Sequence, residues 1–212
     1  MTSQERKRKT EAVLKNLKID INPSLPCIEE EEDANIRDGK DIAKRILVLI
    51  YLNILKDGGS KEIIQFLKDE HIWDSVSKNE EALFNKDILT KKEQINISWR
   101  SEAIWILLWA INKIERLDLP IQECEVSEIM QRVPKFLEPT KTFVNNASTR
   151  SLSEILDISD LIYRLHWASR NSELGTDSNP IDLNSGILQE WHYAINWVTY
   201  YNDDWDEITT DT

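Results

Sequence analysis

Trp99-Arg100-Ser101-Glu102-Ala103-Ile104-Trp105-Ile106-Leu107-Leu108-Trp109-Ala110 is the stretch that decides the fold. It carries three of the chain's eight tryptophans, and from Ala103 to Ile111 no polar residue interrupts it. Nine consecutive apolar residues leave a helix no polar side, and a helix apolar all round has to be buried on every side. The stretch predicts the central helix of an all-α protein, spanning about 91–116. Thr90 with Glu93 opens it as a capping box, in which hydroxyl and carboxylate satisfy backbone N–H groups reciprocally. Leu119-Pro120 closes it, because proline disfavours helix at the residue before it.

Outward from there, the same signals recur. Ser77 with Glu80 and Ser151 with Glu154 open two further helices. Lys40–Lys56 places Ala43, Ile46, Leu47, Ile50 and Ile54 at core spacing, with Asp41 and Arg45 as an i,i+4 pair. Gly58-Gly59 stops that helix, and Ser60–Glu70 follows as a shorter one. Thr10–Ile19 is a short helix stopped by Asn22–Pro26. Helical pieces are expected at Glu123–Val133 and Thr140–Asn146. Two long helices, about 152–170 and 183–201, close the chain around a turn-rich Gly175–Pro180. No alternating strand and no repeat is present. The expectation is one all-α domain over 1–212, with an acidic loop at 29–36 and an acidic C-terminal tail at 202–212.

The 212 residues suffice to bury a sizeable core. Five glycines are too few for phosphate-cradling loops or for a fold with many tight turns. The net charge of −12 is concentrated in Glu29–Asp33 and in Asp203, Asp204, Asp206, Glu207 and Asp211. Nucleic-acid binding is not expected, because neutralising phosphates needs a basic stripe. The one basic cluster, Arg6-Lys7-Arg8-Lys9, reads as a solvated helix start. An acidic surface that mimics nucleic acid would require the two acidic runs to align on one elongated face. Cys27 and Cys124 stand in no C-x-x-C pair and beside no histidine, so both read as small buried hydrophobes. No apolar leader segment stands at the N-terminus, and no apolar run approaches the ~20 residues that span a bilayer. A cytoplasmic protein without membrane association is the expectation.

No Walker loop, nucleophile elbow or dinucleotide fingerprint is present, and the three histidines fall on separate elements without metal-ligand spacing. No metal and no cofactor are expected. The helical faces supply the candidates. On the 152–170 helix, His166 shares the core face with Ile155, Ser159 and Ile162, whereas Asp157, Asp160 and Arg164 lie opposite. On the 183–201 helix, His192 and Asn196 sit together away from the core face of Ile187, Trp191, Ala194, Ile195 and Val198, and Glu190, Tyr193 and Trp197 form a third strip. One candidate is a polar, Trp-walled pocket where these helices meet the Trp99–Glu102 turn, with Arg100, Glu102, Asp160, Arg164, Glu190, His192 and Asn196 as its polar groups. Alternatively, those residues tie helices together as ion pairs. His166 reads as a satisfied core histidine, and His192 as the group that titrates near neutrality.

Several segments together resemble an uncharacterised, mainly bacterial family, domain of unknown function 4272. They are Leu25-Pro26 with the acidic run, Ile36-Arg37 and Ile42-Ala43-x-Arg45; Ser98–Ala110; Ile155–Ala168; Glu190–Trp197; and Trp205–Thr212. The resemblance covers most of the chain from Leu25 on. It implies no activity and no catalytic residue. Arg100, Glu102, Asp157, Asp160, Arg164, His166, Glu190, His192, Asn196, Asp206 and Asp211 match its polar positions, and Trp191 stands where the resemblance implies a basic residue. The leading functional expectation is a non-catalytic interaction or regulatory protein whose acidic segments steer a basic protein partner. The alternative is a small-ligand binder or enzyme using the polar pocket.

Overall fold

The computed structural model describes residues 1–55, 60–175 and 180–212. Among them the elements are α1 (Ser3–Asn16), α2 (Gly39–Leu55), α3 (Ser60–Asp69), α4 (Lys78–Phe84), α5 (Lys91–Ala110), α6 (Val126–Met130), α7 (Lys141–Asn145), α8 (Leu152–Glu173) and α9 (Ser185–Val198), with 3-10 turns at Trp73–Ser75 and Trp205–Glu207. No strand occurs among the described residues, and the protein is all-α. The expected stop at Gly58-Gly59, and residues 176–179 of the expected turn, lie outside the described residues.

Helix α5 lies between α2 and α9, and α9 in turn lies between α5 and α8. From Ala103 to Ile111, just past the end of α5, every residue except the half-buried Trp105 is buried, as an all-apolar helix requires. The main core joins α2, α5 and α9. A smaller cluster of Leu14, Ile19, Leu165, Ala168 and Leu188 seats α1 on α8 and α9. Gly39 permits one close crossing, since a Cβ there would stand 2.6 Å from the backbone oxygen of Ala147. All three expected capping boxes form, at Ser77–Glu80, Thr90–Glu93 and Ser151–Glu154. A fourth, Thr2–Glu5, starts α1 well before the expected Thr10.

The helix ends differ most from expectation. The central helix stops at Ala110 rather than near 116. Asn112 takes φ 61, its N–H bonds to the Trp109 oxygen (3.0 Å), and the Lys113 N–H bonds to the Leu108 oxygen (2.9 Å). This is the Schellman closure, which commonly uses glycine and sometimes asparagine. Arg150 completes the stop, giving Nε to the Trp109 oxygen (2.9 Å) and Nη2 to those of Ile114 (2.7 Å) and Glu115 (3.0 Å). Lys18, His71 and Tyr200 close α1, α3 and α9 in the same left-handed way. A glycine-poor chain thus ends helices on side-chain-bearing residues, at a cost of about 1–2 kcal/mol each. Replacing the exposed His71 by glycine is expected to stabilise the protein by about 1 kcal/mol, read as a higher urea midpoint at unchanged slope. An unchanged or lower midpoint would contradict it.

Helix α6 is also shorter than the expected Glu123–Val133. The Cys124 N–H is spent on Glu102 (2.6 Å), which holds residues before Val126 outside the helix. Arg45 pairs with Glu80 rather than with Asp41, through Nη1 at 2.7 and 2.9 Å from the two carboxylate oxygens.

The charged runs are built into the fold. Arg6, expected in solvent, is fully buried between Asp157 (2.9 Å) and Glu31 (3.0 Å). The acidic loop folds back on α1, where Glu30 accepts the Ser3 N–H at 2.8 Å. There negative charge meets the positive end of the helix dipole. The tail returns along α9. Trp205 is buried against Tyr193 and Trp197, and Asp206 accepts from Ser77 Oγ (2.7 Å) and the Asn79 N–H (2.9 Å) at the start of α4. No described helix is long and apolar enough to cross a membrane.

Candidate functional site

Helical geometry separates the seven candidate residues instead of gathering them in one pocket. Arg100 and Glu102 are two residues apart, about 200° around α5, so they leave it on opposite sides. Arg100 pairs with Glu190 (3.0 Å) and lies over the rings of Tyr193 (4.7 Å) and Trp205 (5.8 Å), beneath the tail. Burial pushes the Glu190 carboxyl upward in pKa, and Arg100 opposes that shift. Asp160 and Arg164 form a buried bidentate pair on the α1 side of α8, at 2.8 and 3.1 Å. The same guanidinium reaches the Pro26 oxygen at 3.1 Å. Asn196 donates Nδ2 to the Thr209 oxygen (2.9 Å) and so helps hold the tail.

His192 meets the histidine set aside as core. The two Nδ1 atoms are 3.0 Å apart, and the rings stand edge to face. Burial pushes His166 down to about 4 and His192 to about 3. Arg170 adds to the first shift and His166 to the second. His192 therefore does not titrate near neutrality. His166 is not fully satisfied either, because its Nε2 is buried without a hydrogen-bond partner. In a neutral pair one Nδ1 must donate and the other accept. An orphan acceptor costs less than an orphan N–H, so His166 holds its proton on Nδ1. That leaves His192 as the Nε2–H tautomer. His192 and Asn196 line a cavity of about 190 Å³ shared with Ser159, Tyr163 and Asp211.

Two openings meet at Glu102: one of about 700 Å³, walled by Trp105, Leu117, Ile158 and Leu161, and a smaller cleft beside it. This smaller cleft, of about 520 Å³, lies between α2, α5 and α6. Ile50, Ile54, Ile104 and Ile129 form its walls with the ring of Trp99. That ring lies on α9 at Gly186, where a Cβ would stand 2.7 Å from Trp99 Cη2. Val126, 56% exposed, and Met130 give the cleft an apolar rim. Its polar groups are Asn53, Ser98, Ser101, Glu102 and Glu123. Glu102 is 2% exposed and accepts the Cys124 N–H (2.6 Å) and Trp191 Nε1–H (3.0 Å). Trp191, where the resemblance implies a base, thus offers Glu102 an indole donor. Burial raises the Glu102 pKa, and the two donors oppose the rise. Cys124 is half-buried rather than buried; desolvation and the Glu102 carboxylate push its thiol pKa well above the usual range.

Glu102 was legible as a charge beside an apolar run. Cys124, Ile50, Ile54 and the α6 residues were not, because their approach depends on where the 121–125 segment crosses α5. Arg37, part of the family-like Ile36-Arg37 segment, carried no role in the sequence. Its guanidinium sits 4.2 Å from the ring centroids of both Trp197 and Tyr200 and donates Nε to the Trp197 oxygen (2.7 Å), bracing the end of α9.

The family model described as Domain of unknown function (DUF4272) matches residues 6–208. No curated protein and no solved structure matches the chain.

Proposed function

The chain belongs to the DUF4272 family, and from that premise we propose that it binds a small organic ligand in the Glu102 cleft without transforming it. The observation that carries this reading is the combination of apolar walls, a volume of about 520 Å³ and a buried carboxylate in the lining. Small-molecule sites have this character, mainly apolar with a few convergent polar groups and perturbed titration. Binding rather than catalysis is favoured by what lines the cleft. Its hydroxyls, Ser98 and Ser101, have no histidine or lysine beside them in the lining to act as base. The Cys124 thiol is held protonated, and both Glu102 oxygens already accept hydrogen bonds.

The acidic segments give less support to a basic protein partner than their composition implies. Glu30, Glu31 and Asp206 are engaged within the chain, which leaves less free charge for steering.

The test uses the neutral fluorescent probe N-phenyl-1-naphthylamine. It should bind saturably, and Val126→Trp, a change at the exposed rim, should weaken binding at least tenfold while leaving the thermal midpoint unchanged. Absence of saturable binding, or unchanged affinity in Val126→Trp, would overturn the proposal.

A further inference from the structure

Three acidic side chains are buried in this protein: Glu80, Glu102 and Asp160 among the described residues. Glu80 has Arg45 at 2.7 Å and Asp160 has Arg164 at 2.8 Å. Glu102 has no ion-pair partner among the described residues; its two hydrogen bonds come from neutral donors. A buried carboxylate is costly without an opposite charge, and the other two buried acids here obey that rule. Glu102 is also the one of the three that opens on the cleft. The lining of this cleft adds a second carboxylate, Glu123, and contains no lysine, arginine or histidine; the adjoining opening that Glu102 also lines has Arg116 in its wall, but Arg116 makes no ion pair with Glu102. Each Glu102 oxygen accepts one hydrogen bond, and a carboxylate offers about four lone-pair sites, so acceptor capacity remains.

Resting on the binding role proposed above for this cleft, we infer that its ligand is a cationic amphiphile: a protonated primary or secondary amine carrying an apolar body. The ammonium group supplies the charge that Glu102 lacks, and its N–H groups bond to the remaining carboxylate lone pairs. The apolar body lies against Ile50, Ile54, Ile104 and the Trp99 ring and leaves past Val126 and Met130. Glu123, exposed at the rim, favours approach of a cation and disfavours an anion. A carboxylate-bearing analogue would bring like charge against Glu102 in a site without a compensating base, so selection works by repulsion as well as attraction.

The experiment is displacement of N-phenyl-1-naphthylamine from the full chain by three probes of one chain length: n-octylamine, 1-octanol and octanoate. Octylamine should compete at least tenfold better than octanol, with octanoate weakest. In Glu102→Gln the octylamine preference over octanol, read as a ratio within that variant, should fall to within threefold. Because Glu102→Gln disturbs the Trp191 contact and could impair folding, Glu123→Gln at the rim gives a second reading. It should reduce the octylamine preference by a smaller factor at an unchanged thermal midpoint. Equal competition by all three probes would overturn the cationic assignment while leaving the cleft as a binding site. Probe binding that none of the three displaces would overturn it as well. Failure of the naphthylamine probe to bind at all would remove the cleft reading itself.

Discussion

Acidification from pH 7 to pH 5 is expected to remove about 4 kcal/mol of stability through the buried histidine pair. A free histidine titrates near 6.5, whereas burial holds His166 down at about 4 and His192 at about 3. As the pH falls below 6.5 the unfolded chain takes up two protons that the folded protein refuses. The contribution of the pair is complete above pH 6.5 and is lost progressively as the pH falls toward 4 and 3. In between, the slope approaches about 1.4 kcal/mol per pH unit for each histidine. Urea denaturation at closely spaced pH values between 7 and 5 measures this, in a window where ordinary carboxylates remain ionised. The double variant His166→Met/His192→Leu should flatten the profile there. A flat wild-type profile, or an equal loss in the double variant, would show that the pair does not refuse protons.

Asp160→Asn is expected to cost about 3–5 kcal/mol. Asp160 is 0% exposed and Arg164 2%, so the substitution leaves a guanidinium buried against a neutral amide. Arg164 Nη1 already lacks a hydrogen-bond partner, and Glu11 Oε1 stands 3.8 Å away, which leaves little to take over. The double variant Asp160→Leu/Arg164→Met should recover most of the loss, because an apolar pair of similar volume often matches a buried ion pair. Chemical denaturation of the three proteins decides it. A loss below about 1 kcal/mol in the single variant would mean that solvent reaches the pair, as at surface bridges. Since Arg164 also holds the Pro26 oxygen, the single variant should loosen the 20–30 segment, seen as faster amide exchange there.

The apolar run Ala103–Ile111 was readable because burial of an all-apolar helix follows from composition alone. The capping boxes were readable because a hydroxyl and a carboxylate three residues apart close locally. Helix ends were harder. Asn112, Lys18, His71 and Tyr200 take left-handed conformations without the glycine that normally signals one. The site was legible only in part. Glu102 stood out as a charge next to a buried run, but nothing near it in sequence names Cys124 or Trp191 as its partners. Face analysis placed His166 and His192 on different helices with different roles, and only the packing of α8 on α9 brings their Nδ1 atoms to 3.0 Å.

What the sequence by itself determined is therefore the class of the protein, its family and the identity of its innermost helix. The class and the innermost helix follow from periodicity, capping chemistry and composition, all of which act over a few residues, whereas the family rests on the likeness of whole segments across residues 6–208. Tertiary structure alone decided which charges are paired. Arg6 finds Asp157 across 151 residues and Arg45 finds Glu80 across 35, and Glu102 finds no cation among the described residues. Pairing depends on which helix faces meet and how deeply they are buried, because burial is what turns a weak surface attraction into a requirement. That requirement, met at Glu80 and Asp160 but not at Glu102 among the described residues, is what directs attention to the cleft beside α5.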